Sequence, residues 1–303
     1  MTIDTLIDRR LLKRRLNFWR VLAVLAVVVA LVMAARPMGG GRVVGDHVER
    51  YRITGLINDG HEQIADLARM QADSSVVGVI LHLDTPGGEV SGGEGIHDAV
   101  AQLAAKKPVV AVMDGTAASA GYMIAVAAPH IVARESTLTG SIGVLLETPN
   151  FGGLLEKLGI TNEPLVSGPL KNQPSLDKPL SPEGRAVMQG IVDDLYGQFV
   201  DLVAAGRHMD AARVRELADG RAYTGRQALK LGLVDQIGGE HEAQRWMETS
   251  KGLARGLPVA ETDKRDLWLR ITNRPAGMLV TWLFNALRVD GAWSLWQPLS
   301  QRD

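Results

Sequence analysis

Short apolar runs alternate with amphipathic segments in the first half of the chain. Residues 48–57, 76–83 and 108–113 have the length and composition of strands. Between them, residues 63–70 and 94–106 carry apolar side chains at helical spacing. The alternation predicts an α/β fold made of ββα-type or βαβ units with a largely parallel sheet. In such a sheet, we expect catalytic groups in the turns at the carboxyl ends of the strands.

One hydroxyl group follows the third apolar run. We expect that strand to end at an Asp114-Gly115 turn, after which small residues lead into a helix. Ser119 then lies at a strand-to-helix turn, where the N–H groups of a helix start favour developing negative charge. Such a serine is a candidate nucleophile if a base can reach it. The alternative is a small residue that lets the helix pack tightly, as the neighbouring alanines do.

Lysine can replace histidine as the base that activates a serine, and Lys171 is the best candidate. It would have to lose its proton, and an apolar pocket favours the neutral form of a lysine. The uncharged residues 166–170 allow such a pocket. The alternative is a surface lysine in a proline-rich loop, with Lys178 and Lys157 as competing bases.

A Ser-His-Asp triad is the main rival mechanism. His82 and His97 flank a Pro-Gly-Gly turn, and His130 follows Ser119 by eleven residues. His82, however, lies inside a predicted strand, and His130 opens another. A histidine base is therefore the weaker interpretation.

Five segments, in order, resemble the bacterial signal peptide peptidase A family. They are LDTPGG at 83–88, TAASAGY at 116–122, TGSIGV at 139–144, SGPLK at 167–171 with Ser181-Pro182, and GRAYTG at 220–225 with GLVD at 232–235. The resemblance covers roughly residues 44–245 and fits the short, single-unit form of the family. It implies an α/β fold like that of Clp protease and crotonase, with repeated ββα units. It also implies a membrane-bound serine endopeptidase that cleaves signal peptides or other membrane-derived peptides.

The resemblance assigns a role to each site residue. Ser119 would form the acyl-enzyme and Lys171 would be the general base. Ser141 would orient Lys171 through a hydrogen bond, or would be a structural hydroxyl in its turn. The oxyanion hole would consist of backbone N–H groups. The candidates for these groups are Gly87, Gly88 and Ala120. The sequence departs from the family pattern at residues 169, 170 and 172, which changes the loop around Lys171.

Composition excludes several other kinds of site. The chain of 303 residues has a formal net charge of -1, which gives no electrostatic argument for nucleic-acid binding. It contains no cysteine, so disulfides and thiol nucleophiles are excluded. No metal-ligand spacing is present. We therefore predict neither a metal nor a cofactor.

The N-terminus resembles a membrane anchor. Residues 21–35 carry no charge and follow a cluster of arginines and a lysine, so the positive-inside rule places this end in the cytoplasm. A cleavable signal peptide is the alternative. We predict a single-pass protein of the bacterial cytoplasmic (inner) membrane, with the catalytic domain on the outer (periplasmic) side. The predicted parts are an anchor at 1–36, a linker at 37–43, a peptidase domain at 44–245 and a tryptophan-rich tail at 246–303.

Two further expectations concern packing and assembly. A helix is predicted to start at Ser181-Pro182 and to end at Gly206, with one apolar stripe facing the core. Ser119 and Lys171 are separated by the Gly- and Pro-rich stretch 148–179, which can reach a neighbouring subunit as easily as its own domain. A homo-oligomeric ring that acts on peptide substrates is therefore expected. The competing function classes are a crotonase-like acyl-CoA enzyme and a non-catalytic membrane scaffold.

Overall fold

A computed structural model gives the fold of this chain. The chain divides into residues 1–44 and 45–303, and the structure describes residues 19–20 of the first unit and 45–261 of the second. The strands are β1 (His47–Thr54), β2 (Val76–Thr85), β3 (Val109–Ala118), β4 (Ile131–Ala133), β5 (Leu138–Gly140), β6 (Ala222–Thr224), β7 (Gln236–Ile237) and β8 (Val259–Glu261). The helices are α1 (His61–Ala72), α2 (Val90–Ala104), α3 (Ala120–Ala125), α4 (Gly152–Lys157), α5 (Pro182–Arg207), α6 (Ala211–Leu217), α7 (Gly225–Leu231) and α8 (Glu240–Ser250).

The described strands form one sheet with the order β6-β5-β3-β2-β1-β8, and β4 and β7 extend it beside β3. All pairings are parallel except that of β5 with β6. The predicted α/β class and largely parallel sheet are therefore confirmed. Through β3 the repeat is βαβ, whereas β4 and β5 follow α3 without a helix between them. The central strands are buried on both faces, which explains their continuous apolar runs.

Strand β3 does not end where the sequence predicts. It continues through Asp114 and Gly115 to Ala118, so the predicted turn is wrong. Before this point β3 pairs with β4, and after it β3 pairs with β5. The side chain of Asp84 accepts a 3.0 Å hydrogen bond from the N–H of Thr116 and so bridges the irregularity between β2 and β3. At the Asp-Gly pair, this one extended segment thus changes its partner from β4 to β5.

Helix α2 begins at Val90, four residues before the start expected from its apolar spacing. Its first turns contain glycines, which disfavour a helix when only local propensity counts. Close packing requires them here. A Cβ atom on Gly92 would lie 1.6 Å from the carbonyl oxygen of Asn58, and one on Gly93 would lie 2.8 Å from the Cβ of Ala120. Tertiary contact therefore decides where this helix begins.

The sheet carries a core on each face. The larger core includes Leu81, Leu83 and residues of α3, whereas the smaller one packs Ile80 and Val112 against Met247 of α8. The predicted domain boundary at residue 245 falls inside α8, and β8 pairs in parallel with β1. Residues 246–261 therefore belong to the domain and not to a separate tail. The four tryptophans beyond residue 261 lie outside the described residues.

Helix α5 is covered only at its C-terminal half. Phe199 and Val203 are buried as predicted, but Val187 and Ile191 are 42% and 44% exposed. The expectation that the whole stripe faces the domain's own core is therefore wrong. The C-terminal end approaches α3 so closely that a Cβ on Gly206 would lie 2.2 Å from the carbonyl oxygen of Val126. The N-terminal half comes directly after residues 143–181, none of which is buried.

No helix within the described ranges is long and apolar enough to cross a membrane. The anchor predicted at residues 1–36 falls outside the described residues, apart from two positions.

Candidate active site

Ser119 occupies a strained position between β3 and α3. Its backbone has φ 53° and ψ -123°, a combination that favours glycine. Holding a serine there costs about 1 to 3 kcal/mol, and such strain is typical of functional sites. Its N–H donates to the carbonyl of Gly140 at 2.9 Å, and its carbonyl accepts from the N–H of Met123 at 2.9 Å. The half-buried hydroxyl forms no hydrogen bond with another described residue.

The Gly87–Gly88 turn lies directly against Ser119. A Cβ atom on Gly87 would lie 2.8 Å from the Cβ of Ser119 and 3.1 Å from the backbone nitrogen of Ala120. Ile57 fixes the turn from the other side, since its N–H donates to the Gly87 carbonyl at 2.9 Å. A Cβ on Gly88 would lie 1.9 Å from the Ile57 carbonyl oxygen. Only glycine therefore fits at either position.

The three amides proposed from the sequence differ in their hydrogen bonds. The N–H of Gly87 donates to Oγ1 of Thr85 at 3.1 Å, so it is already used. The N–H groups of Gly88 and Ala120 have no acceptor among the described residues. Ala120 is the first residue of α3, where N–H groups lack a partner within the helix. Two donors are thus available, one in the residue after Ser119 and one in the glycine turn that contacts Ser119.

Ser141 lies in the segment that holds the Ser119 backbone. It follows Gly140, the acceptor of the Ser119 N–H, and its own N–H donates to the Arg221 carbonyl at 2.9 Å. Its φ of 49° is also unusual for a residue with a side chain. Of the five predicted site residues other than Lys171, the fold thus brings all into one region, around the carboxyl ends of β2, β3 and β5.

Lys171 is the exception. Its side chain is exposed, and no hydrogen bond joins it to Ser119 within residues 45–261 of this single chain. Its backbone N–H donates to Gly168 at 3.1 Å. The neighbouring Leu170 is itself largely exposed, and Leu165 is 100% exposed. The apolar pocket that the sequence allows is therefore not formed by the described part of one chain.

The three histidines considered as alternative bases, His82, His97 and His130, form contacts away from Ser119. His82 contacts carboxylate oxygens of Asp114 at 2.9 Å and of Glu240 at 3.0 Å. It alternates along β2 with Leu81 and Leu83, so it faces α8, on the opposite side of the sheet from α3. A hydrogen bond from Arg50 holds the pKa of Glu240 below its ordinary value, against the effect of burial. This network therefore links the sheet to α8, on the face of the sheet away from α3.

The other two histidines are also engaged. His97 contacts Asp98 at 3.1 Å. His130 stacks on Trp246 with ring centroids 4.7 Å apart and contacts Gln236 at 3.3 Å. Within the described part of the chain, none of the three is bonded to the Ser119 hydroxyl.

Buried threonines near the site escape sequence reasoning. Thr139 donates to the Ala117 carbonyl at 2.7 Å, and Thr137 donates to the carbonyls of Met113 and Asp114 at 3.0 and 2.6 Å. These bonds tie β5 and the turn before it to β3. The available signal is that Thr137 and Thr139 are two residues apart, which is the spacing of side chains on one side of an extended segment.

Comparison with known proteins gives matches along most of the described part of the chain. The model of peptidase family S49 matches residues 101–254, and that of Clp protease matches residues 53–141. "Putative protease slr0021" of Synechocystis is 41% identical over 74% of this chain and 82% of its own length. "Putative signal peptide peptidase SppA" of Enterococcus faecium is 38% identical over 74% of this chain and 62% of its own length. "Serine protease SPPA, chloroplastic" of Arabidopsis thaliana is 35% identical over 59% of this chain, which spans 27% of that protein.

Proposed function

Because the chain belongs to peptidase family S49 and is a serine endopeptidase, we propose that it cleaves peptides with Ser119 as the nucleophile and Lys171 as the general base. The resemblance to the signal peptide peptidase A family and the Clp-protease-like α/β fold are both confirmed. The role of Ser119 rests on one observation above all, whereas that of Lys171 rests on the family resemblance. The strained Ser119 lies against a glycine turn, with two unused amides beside it.

Acyl transfer needs a nucleophile with a base, hydrogen-bond donors for the oxyanion and a proton for the leaving amine. The Ser119 oxygen bonds to the peptide carbonyl carbon while the general base takes the hydroxyl proton. The carbonyl oxygen becomes an oxyanion, for which the N–H groups of Gly88 and Ala120 are donors without another acceptor. The amine half then leaves with the proton that the general base took from Ser119. Water attacks the acyl-enzyme as the same base takes one of its protons, and that proton returns to the Ser119 oxygen when the acid product leaves. Ser141 has a free hydroxyl within the described residues, and in this proposal it orients Lys171.

Assembly with other copies of the chain would supply the apolar surroundings of Lys171 that the described part of a single chain lacks. Large apolar side chains are exposed in the segment that carries Lys171 and in the first half of α5, which follows it, and we call them the exposed apolar face: Leu154, Leu158, Leu165, Leu176, Val187 and Ile191. Large apolar side chains that stay exposed along consecutive segments of a chain are typical of a protein–protein contact. A second copy of the chain would cover it and would place Lys171 in an apolar, partly dehydrated setting. Repetition of this contact closes a homo-oligomeric ring.

The substrate and location follow from the chain's apolar segments. Helix α3, which follows Ser119, has the sequence AGYMIA and carries no charged side chain, so the surroundings of Ser119 are apolar and suit small or aliphatic side chains at the cleavage position. With the anchor predicted at residues 1–36, the site would face the outer side of the bacterial inner membrane. Signal peptides and other membrane-derived peptides are apolar and are released there. They are the proposed substrates.

Labelling with a fluorophosphonate, followed by peptide mapping, tests the proposal. We expect the full-length protein in detergent or membranes to be modified at Ser119 and to hydrolyse apolar peptides, whereas Ser119→Ala does neither. The variant Ser136→Ala, which changes another serine of the domain, should keep both properties. A protein that is folded but neither labelled nor active would instead be a scaffold. Modification at another residue would overturn the assignment of Ser119.

A further inference from the structure

Thr85, the last residue of β2, is completely buried between two parts of the candidate site. On one side, its hydroxyl accepts the N–H of Gly87 at 3.1 Å. On the other, its methyl group lies against α3, because a Cβ atom on Gly121 would be only 2.7 Å from Cγ2 of Thr85. One small side chain therefore contacts both the glycine turn and the helix that begins after Ser119.

We propose that Thr85 is a positioning residue for acyl transfer, which holds the Gly87–Gly88 turn in the conformation that presents the Gly88 N–H beside Ser119. The proposal rests on the function proposed above. It adds a residue that touches neither the substrate nor the reacting atoms and acts through the turn and through α3.

The turn needs such a restraint because it is made of two glycines. Gly87 has φ 107° and Gly88 has φ 156°, and glycine reaches many other conformations at little cost. The Thr85 hydroxyl binds the Gly87 N–H inside the protein and thereby fixes the direction of the next amide along the chain. An oxyanion donor is effective when it is already oriented before the reaction. The hydroxyl would therefore lower the barrier without contacting the substrate.

The methyl group supplies the second restraint. Thr85 pairs in register with Ala117 of β3, beyond the irregularity at Asp84. Its methyl group packs on Gly121, two residues after Ser119, and so sets how closely β2 approaches α3. Thr85 thus fixes both the orientation of one oxyanion donor and its distance from the nucleophile.

Two substitutions separate these contributions. Thr85→Val keeps the shape and removes the hydroxyl, whereas Thr85→Ser keeps the hydroxyl and removes the methyl group. For Thr85→Val we expect kcat to fall about 10- to 100-fold, since small errors in catalytic geometry have effects of this size. KM for a peptide substrate should stay within about threefold, because ground-state binding is not altered. Thr85→Ser should retain kcat within about tenfold, because the hydroxyl still orients the Gly88 amide.

A peptide aldehyde reports on the oxyanion directly. The Ser119 oxygen adds to its carbonyl carbon while the hydroxyl proton passes to the general base, the carbonyl electron pair moves to the carbonyl oxygen, and the resulting oxyanion occupies the proposed hole. Its inhibition constant should rise for Thr85→Val by about the factor lost in kcat, as expected for a transition-state analogue. Thr137→Val is the matched control. It also removes a fully buried threonine hydroxyl that binds backbone carbonyls of β3, so it should lower stability while leaving kcat and aldehyde affinity within about threefold.

Each outcome separates this inference from the proposed function. If the wild-type protein is labelled at Ser119 and active, but Thr85→Val has unchanged kcat and aldehyde affinity, the role of Thr85 is refuted. The same holds if Thr85→Ser is as impaired as Thr85→Val, or if Thr137→Val shows the same kinetic loss. If Thr85→Val does not fold, Thr85→Ala is compared with Thr85→Ser in its place. An inactive, unlabelled wild-type protein would refute the proposed function and this inference with it.

Discussion

The backbone N–H of Ser119 donates a 2.9 Å hydrogen bond to the carbonyl of Gly140, the residue before Ser141. Among the described residues, Ser119 and Ser141 are two of the three non-glycine residues with positive φ, and this bond joins their segments. Strain at both serines is therefore maintained by one local set of contacts at the ends of β3 and β5. This arrangement is the basis for the first prediction.

Removal of the Ser119 side chain should abolish activity and reveal the backbone strain. We expect Ser119→Ala and Ser119→Gly to lose at least about 10³-fold in kcat, as nucleophile removal does in other serine peptidases. Ser119→Gly should also be more stable than Ser119→Ala by about 1 to 3 kcal/mol, because glycine adopts φ 53° without strain. Urea unfolding and peptide hydrolysis measure the two effects. Equal stability of the two variants would contradict the strain.

Lys171→Ala should be as inactive as Ser119→Ala. The two residues act as one unit in the proposed mechanism, so the double variant should be no worse than either single one. His82→Ala, His97→Ala and His130→Ala should keep catalysis in whatever fraction folds. A folded histidine variant as inactive as Ser119→Ala would restore the triad interpretation.

Subunit exchange tests whether the dyad forms between chains. Inactive Ser119→Ala and Lys171→Ala proteins are mixed under conditions that allow exchange, and activity is followed with time. If Lys171 reaches the Ser119 of a neighbour, some sites contain both wild-type residues and activity returns. Mixed oligomers that form but stay inactive would show that each chain supplies its own lysine.

Charged substitutions on the exposed apolar face should prevent assembly. Leu154→Glu with Leu158→Glu would place carboxylates where a second copy is expected to pack, and burial of an unpaired charge is costly. We expect smaller particles by light scattering and a loss of peptidase activity. Leu229→Glu, at an exposed leucine outside this face, is the control and should leave the assembly unchanged. An unaltered particle size in the double variant would exclude this face as the contact.

Acid should weaken the start of α8 through Glu242. The N–H of Gly239 donates to this carboxylate at 2.9 Å and lowers its pKa to about 2. Its pKa in the unfolded chain is about 4.3, so the charged form is favoured by folding. The resulting stability is complete above the unfolded pKa and is lost as pH falls towards about 2. The difference in unfolding free energy between wild type and Glu242→Gln should shrink over this range. A difference that is constant from pH 6 to pH 2.5 would contradict it.

Much of the α/β core was predictable because burial on both faces of a parallel sheet leaves uninterrupted apolar runs. The start of α5 was equally clear from the Ser-Pro pair at 181–182. In the structure Ser181 accepts a hydrogen bond from the N–H of Gly184, and Pro182 is the first helical residue. Ser119 could be singled out from its small-residue surroundings and its position after an apolar strand. These signals are local in the chain.

The features that were missed depend on contacts distant in sequence. Helix α2 extends over Gly92 and Gly93 because other backbone segments approach there, and β3 passes through Asp114 because Asp84 bridges the gap. The exposure of Val187 was missed for the same reason, because helical periodicity identifies an apolar stripe but not the segment that covers it. For Lys171, the sequence does not show where its exposed segment lies relative to Ser119, and in the proposed assembly that depends on contacts between chains.

From the change of partner along β3 we expect its two halves to differ in local stability. Its first half lies between β2 and β4 in the middle of the sheet, whereas residues 116–118 pair with the three-residue strand β5, which leads to the edge strand β6. Separation of these two short strands would free the Ser119 N–H while the central sheet stays folded. Native-state hydrogen exchange would then be faster in the second half than in the first. On warming, we therefore expect peptidase activity to be lost at a lower temperature than the one at which the central sheet unfolds.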